Sequence, residues 1–361
     1  MKNKHPGIEL ERKLKSIGMK NKELAIRTGV TEKHVSTIIN GMKAITNNFA
    51  RKLEYALDEP KAEYWVTLQA KYDKEFSEEQ DKYNIDKDES KVLKEIKIIM
   101  PYLYEIGVLN ENDDNIKKIL DLRRFARISN LINIANLPHY GAYRIQLKTN
   151  VNINPYVLYI WQCACEYIAK KVKIENEVNY TLLKEKLPQI KNLMFSDPQN
   201  IENELQKIFY ECGIIFKIVK YFKGAPVHGF IKKLGQSNNV VLCMTFRQKR
   251  ADVFWFTLLH EIGHILNKDE NNYLVDFEFA KGDEELEADN FANKELINQN
   301  DYKRFVDNDV FTLPAIKRFA KSQNVQPYIV IGRLQHDQII GWNEYVNEIQ
   351  KYEFIEEQIN K

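Results

Sequence analysis

Cysteine is scarce: Cys163, Cys165, Cys212 and Cys243 are the only four in 361 residues, and no two form a CxxC pair. That spacing excludes a disulfide framework and a thiolate metal cluster, and it fits buried thiols in a reducing compartment. Long apolar runs are lacking as well. The richest, Phe254 to Leu266, is interrupted by His260, Glu261 and His264, which argues against a membrane span. Met1-Lys2-Asn3-Lys4 lacks the apolar run of a signal peptide, so a cytoplasmic protein is expected. There are no internal repeats and no low-complexity tract. Net charge is only +2, which by itself says nothing about nucleic acid, while 44% apolar residues exclude a disordered chain.

What charge there is lies unevenly. Residues 1–57 carry twelve Lys/Arg against five Asp/Glu, a surplus of seven, so the rest of the chain is net acidic. The basic end is therefore the candidate polyanion-binding end. Glycines at 18, 29 and 41 separate short amphipathic segments there. Lys22 to Val30 reads as a helix closed by a glycine turn, and Thr31 to Gly41 as a second helix capped by Thr31. Leu24, Ala25, Val30, Val35 and Ile38 would form a small core. Lys33, His34, Ser36, Thr37 and Asn40 stay free to meet base edges and phosphates of double-stranded DNA.

Further along, residues 61–76 continue as a helix, and a charged stretch from Lys71 to Lys91 marks a boundary. Residues 92–210 have helical spacing without readable chemistry. From 213 the texture turns to β-type runs at 214–219, 227–231 and 240–244, followed by helices near 251–266, 284–299, 314–322 and 327–334. The expected fold class is α+β, mostly helical. Its parts are a helix-turn-helix bundle (1–76), a helical linker or scaffold (77–210) and a C-terminal domain with a small β-sheet (211–361).

The most specific pattern is His260-Glu261-Ile262-Gly263-His264. With seven histidines in the chain, H-E-x-x-H is expected by chance on the order of 0.01 times. Residues four apart share a helix face, so both imidazoles can meet one Zn²⁺, with Glu261 beside its open position as general base. Burying two imidazoles and a carboxylate on an otherwise apolar helix is costly unless something binds them. The third ligand is expected from the next helix. There Glu285, Ala288, Asp289, Ala292 and Leu296 fall on one stripe. Glu285 is the expected ligand, with Asp289 accepting a ligand imidazole N–H; Glu287 and Glu270 remain alternatives. His228, Tyr273 and His336 are candidates for stabilising a developing oxyanion.

This constellation resembles the ImmA/IrrE metallopeptidases, in which an H-E-[IL]-G-H helix precedes an E-x-E-A-[DN]-x-F-A segment, here Glu285 to Ala292. The similarity spans roughly 210–345. It implies a zincin-like domain and zinc-dependent cleavage of a specific protein, typically a helix-turn-helix repressor. The family's apolar-Met-Pro helix end is replaced here by Glu295-Leu296-Ile297-Asn298-Gln299. Residues 5–76 resemble the XRE class of helix-turn-helix and, more closely, the HigA antitoxins, through Ser36 to Gly41, Ala44-Ile45-Thr46 and Tyr64 to Asp73. That resemblance implies operator binding as a homodimer. The combined expectation is a transcriptional regulator carrying its own zinc endopeptidase. The alternative is an antitoxin or repressor whose peptidase-like domain only senses or docks.

Overall fold

Local signals at helix ends set up the N-terminal region. In the computed structural model, which describes residues 4–83, 85, 87–137, 153–174, 176–233, 239–268, 274–277 and 283–353, α1 (Pro6–Ser16) begins on a proline. Nδ1 of His5 accepts the Gly7 N–H at 3.0 Å. Helix α2 (Asn21–Thr28) ends at Gly29 with φ +64°, a left-handed conformation that suits glycine. Helix α3 (Glu32–Ile39) is capped by Thr31, whose hydroxyl accepts the His34 N–H at 3.1 Å. Helix α4 (Asn47–Leu57) is capped likewise by Thr46. Helix α5 (Ala62–Tyr83) follows.

The chain divides into two compact units, Met1–Lys87 and Asp88–Lys361. The first unit closes around Leu10, Leu14, Leu24, Ala25, Val35, Ile38, Phe49, Leu53 and Trp65. Of the expected small core, Val30 is only partly buried. The first unit runs past residue 76 because α5 continues to Tyr83.

The second unit opens with α6 (Glu89–Glu95), α7 (Met100–Glu105), α8 (Asn115–Ala126) and a 3₁₀ turn at Leu131–Asn136. Then come α9 (Pro155–Ala169), α10 (Tyr180–Asn192) and α11 (Pro198–Glu211). The expectation of a separate helical region over 77–210 differs from what is found. Described helices from residue 88 onward belong to the same unit as the sheet, because α9 and α11 pack on its strands. Val157, Leu158, Ile160, Trp161, Ala164 and Cys165 of α9 are all buried, as a helix covered on most sides requires.

Four strands form the sheet: β1 (Ile214–Ile218), β2 (Val227–Lys233), β3 (Val240–Met244) and β4 (Leu274–Phe277). Their order is β1-β3-β2-β4, with β1 parallel to β3 and β2 antiparallel to both of its neighbours. Register slips between Val227 and Gly229 where β2 faces β4. Helix α12 (Ala251–Asn267) packs on β2 and against α13 (Asp283–Leu296). The unit ends with α14 (Gln299–Asp307), α15 (Leu313–Ser322) and α16 (Pro327–His336). The class is α+β and mostly helical, as the sequence implies.

Candidate functional site

Helix α12 is buried along nearly its whole length, and His260, Glu261 and His264 lie within its core-facing residues at 5%, 1% and 1% exposure. What brings α13 alongside is the absence of bulk. A Cβ on Gly263 would stand 3.2 Å from both the Ala288 Cα and the Phe291 ring. Ala288, Ala292 and Leu296 are buried on the stripe expected for this helix, which carries Glu285 toward the imidazoles.

The three ligand atoms form a small triangle. His260 Nε2 and His264 Nε2 are 3.0 Å apart, and Glu285 Oε2 is 3.2 Å from the first and 3.6 Å from the second. Ligands 2.0–2.1 Å from a tetrahedral zinc stand roughly 3.3 Å from one another, so the edges fit that geometry. Nδ1 of His260 lies 2.8 Å from Asp289 Oδ1. A carboxylate there takes the Nδ1 hydrogen and leaves the Nε2 lone pair facing the triangle. Burial pushes the Glu285 carboxyl up, but hydrogen bonds and charge from His260 and His264 outweigh it and hold the pKa at about 2. The group is thus an anion, as a carboxylate that ligates a metal must be. The donor set and its spacing fit a divalent metal ion, and zinc is compatible with them; His260, His264 and Glu285 would hold it.

Glu287 does not compete. It is exposed, and its carboxylate faces the Asn267 amide at 3.4 Å. Glu270 and Tyr273 lie outside the described residues. Glu261 turns toward the sheet: a Cβ on Gly229 of β2 would fall 1.8 Å from its Oε1. Only glycine leaves room for the carboxylate, and a glycine inside a strand is the sequence signal for such an approach.

A cleft of about 340 Å³ opens beside the triangle, lined by His260, Glu285 and Asp289. Val253, Phe256, Leu296, Ile297, Ile329 and Trp342 give it an apolar wall. Charged side chains on the wall are already paired, Asp252 with Arg250 at 2.6 Å and Arg333 with Asp337 at 2.7 Å. Glu261 is not among the residues lining the cleft, although His228, next to Gly229, is. His336 also reaches the wall but is 78% exposed, with Nδ1 3.1 Å from Asp337.

In the first unit, Lys33, Ser36, Thr37 and Asn40 follow one another at i, i+3, i+4 and i+7 on α3, opposite buried Val35 and Ile38. Lys33 and Asn40 are exposed, and Ser36 and Thr37 half-buried. The Thr37 hydroxyl donates to the His34 carbonyl at 2.8 Å. His34 sits apart from this stripe, its ring edge-on to Phe49 at 5.3 Å. It is half-buried, like Ser36 and Thr37.

No protein-family model matches the chain. Virulence-associated protein A' of Dichelobacter nodosus is 40% identical over 74 residues, which is 20% of this chain and 64% of that protein. The chain therefore spans a little under two-thirds of that relative's length. A solved structure from Nostoc punctiforme PCC 73102, proposed to be an antidote protein of a plasmid maintenance system, matches at 26% identity. It covers 22% of this chain and 87% of its own, with a TM-score of 0.21, too low to argue a shared fold. Both likenesses cover about a fifth of the chain, and neither reaches a length that would take in the second unit. Among the described residues, no helix is long and apolar enough to cross a membrane.

Proposed function

We propose that this chain is a DNA-binding regulator whose second unit is a zinc-dependent endopeptidase acting on a repressor-type protein. One observation carries the reading: two imidazoles and a carboxylate from two packed helices converge at zinc-ligand spacing beside a cleft. Asp289 supports it by fixing the His260 tautomer.

Zinc held there would polarise a peptide carbonyl and acidify a water molecule. The chain's own residues do the rest. Glu261 takes the proton of the attacking water and returns it to the amide nitrogen as the C–N bond breaks. The products are a carboxylate and an amine. The apolar wall receives a substrate side chain while the paired ions beside it stay paired. For the first unit, the α3 stripe and the basic surplus of residues 1–57 favour double-stranded operator DNA, read by a homodimer.

A second reading, a regulator whose peptidase-like unit only senses or docks, draws on the position of Glu261 behind the cleft wall. One experiment separates the two. Purified protein is assayed for zinc, and cells expressing wild type or Glu261→Gln are compared by N-terminal proteomics. About one zinc per chain is expected in both, lost in His264→Ala, with new internal N-termini only in wild type. Identical N-termini in the two strains, with zinc bound in both, would sink the peptidase reading. Absence of zinc from wild type would sink the metal centre itself.

A further inference from the structure

His228 takes no part in the metal triangle, yet it lines the same cleft as His260, Glu285 and Asp289. The backbone puts it there. Register slips between Val227 and Gly229, and Thr245 of the neighbouring segment grips both sides of the slip. Its N–H donates to the His228 carbonyl at 2.9 Å, and its hydroxyl to the Val227 carbonyl at 2.7 Å. The side chain is only 6% exposed.

Which nitrogen carries the hydrogen follows from its partner. Arg247 Nη1 lies 3.0 Å from His228 Nε2. A guanidinium has donors and no acceptor, so Nε2 must accept. A neutral ring then carries its hydrogen on Nδ1. Burial, and next the positive charge of Arg247, push the pKa down to about 4, so the ring is neutral at physiological pH. Among the described residues Nδ1 has no hydrogen-bond partner. A ring donor without a described partner, on a residue that lines a cleft, can meet a ligand's acceptor there.

We propose that His228 donates its Nδ1 hydrogen to the substrate oxygen that gains negative charge when a peptide bond is attacked in this cleft. The assignment rests on the peptidase reading above. No proton changes owner at His228. As the water oxygen bonds to carbon, the C=O pair moves onto oxygen and the Nδ1–H bonds to it. As C=O re-forms, C–N breaks and the nitrogen receives the proton held by Glu261. Arg247 is the positioning residue, since it fixes the tautomer. A preset donor in a water-poor site favours the charged oxygen over the ground-state carbonyl, which raises kcat more than it lowers KM.

The test uses the full zinc-loaded chain. Long-range ¹H–¹⁵N correlation spectra should place the His228 hydrogen on Nδ1 from pH 6 to 8; a hydrogen on Nε2 overturns the proposal. Kinetics follow on a quenched peptide spanning a bond mapped by the N-terminal proteomics. His228→Ala should lower kcat by about 10²–10³-fold, the loss typical of one such donor, with KM within threefold and zinc content unchanged. His228→Gln, which restores an N–H, should recover at least tenfold, and Arg247→Gln should lower kcat with zinc retained. If the alanine variant does not fold, the tautomer and the glutamine variant decide. Wild type that cuts with unchanged kcat in His228→Ala and His228→Gln overturns this assignment alone. Wild type that yields no mapped bond overturns the peptidase reading and this with it.

Discussion

A buried imidazole that cannot charge makes stability depend on pH. Unfolded, His228 titrates near 6.5, and in the fold its pKa is held down at about 4, first by burial and then by Arg247. Between those values the unfolded chain holds a proton that the folded chain does not. The stability tied to the neutral ring is therefore complete above pH 6.5 and is lost as pH falls toward 4. At pH 4.5 the loss should be about 2–3 kcal/mol relative to pH 7. His228→Gln lacks this titration. In urea melts of chelated protein, the stability gap between wild type and variant should shift by that amount over this pH range. A gap independent of pH would contradict the buried neutral state. The two kinds of histidine differ in how far sequence could read them. His260 and His264 declare themselves because helical spacing fixes their face, and Asp289 follows by the same rule one helix later. His228 depends on Arg247, which the β2–β3 pairing brings to it from nineteen residues away, and no local pattern encodes that.

At the scale of elements, the site is a property of the α12–α13 contact. Gly263 lies where the two helices approach closely, and a new side chain would meet the Ala288 Cα and the Phe291 ring alike at 3.2 Å. Backbone yields only if the helix moves. Gly263→Val should therefore push α13 outward, costing about 1–3 kcal/mol as overpacking does. Because Glu285 rides on α13, zinc affinity should drop at least tenfold, with Gly263→Ala in between. Competition with a chromogenic chelator measures this, and unchanged affinity in the valine variant would show that α13 position does not set the site. The helices carrying the triangle were legible from apolar periodicity: readings of 251–266 and 284–299 compare with Ala251–Asn267 and Asp283–Leu296. Helix α14 was not read: within its nine residues the face that packs on the core is only Tyr302, Phe305 and Val306, none of them fully buried. Its signal was the Asn298 side chain, which accepts from the N–H groups of Asn300 and Asp301. Strand β4 is only four residues long, too short for alternation to stand out. The parallel pairing of β1 with β3 joins strands separated by β2, a long-range choice that composition does not dictate.

For the whole molecule, the decisive fact is that the core of the first unit and the core around the candidate site are separate clusters among the described residues. One gathers Leu10 to Trp65 and the other Leu183 to Tyr352. A ligand that binds one core's unit stabilises that unit alone, by RT ln(1 + [L]/Kd), or roughly 3 kcal/mol at a hundredfold excess over Kd. The residues that would hold zinc, His260, His264 and Glu285, all lie in the second unit. Calorimetry of the full chain should then show two transitions. Chelator should lower one by several degrees, at roughly 2 °C or a little less per kcal/mol for a unit of this size, and leave the other in place. His264→Ala should sit at the chelated position whether or not zinc is added. DNA added to the same sample should move the zinc-insensitive transition, and less so as salt rises, because phosphate contacts release counterions. A single transition that zinc and DNA both shift would mean that the units fold as one, and a zinc-sensitive transition that DNA alone raises would place the DNA site in the wrong unit. The basic surplus of residues 1–57 made the first expectation readable from composition. The second needed the fold, because the extent of the second unit becomes visible only once α9 and α11 are seen to pack on the strands instead of forming a linker of their own.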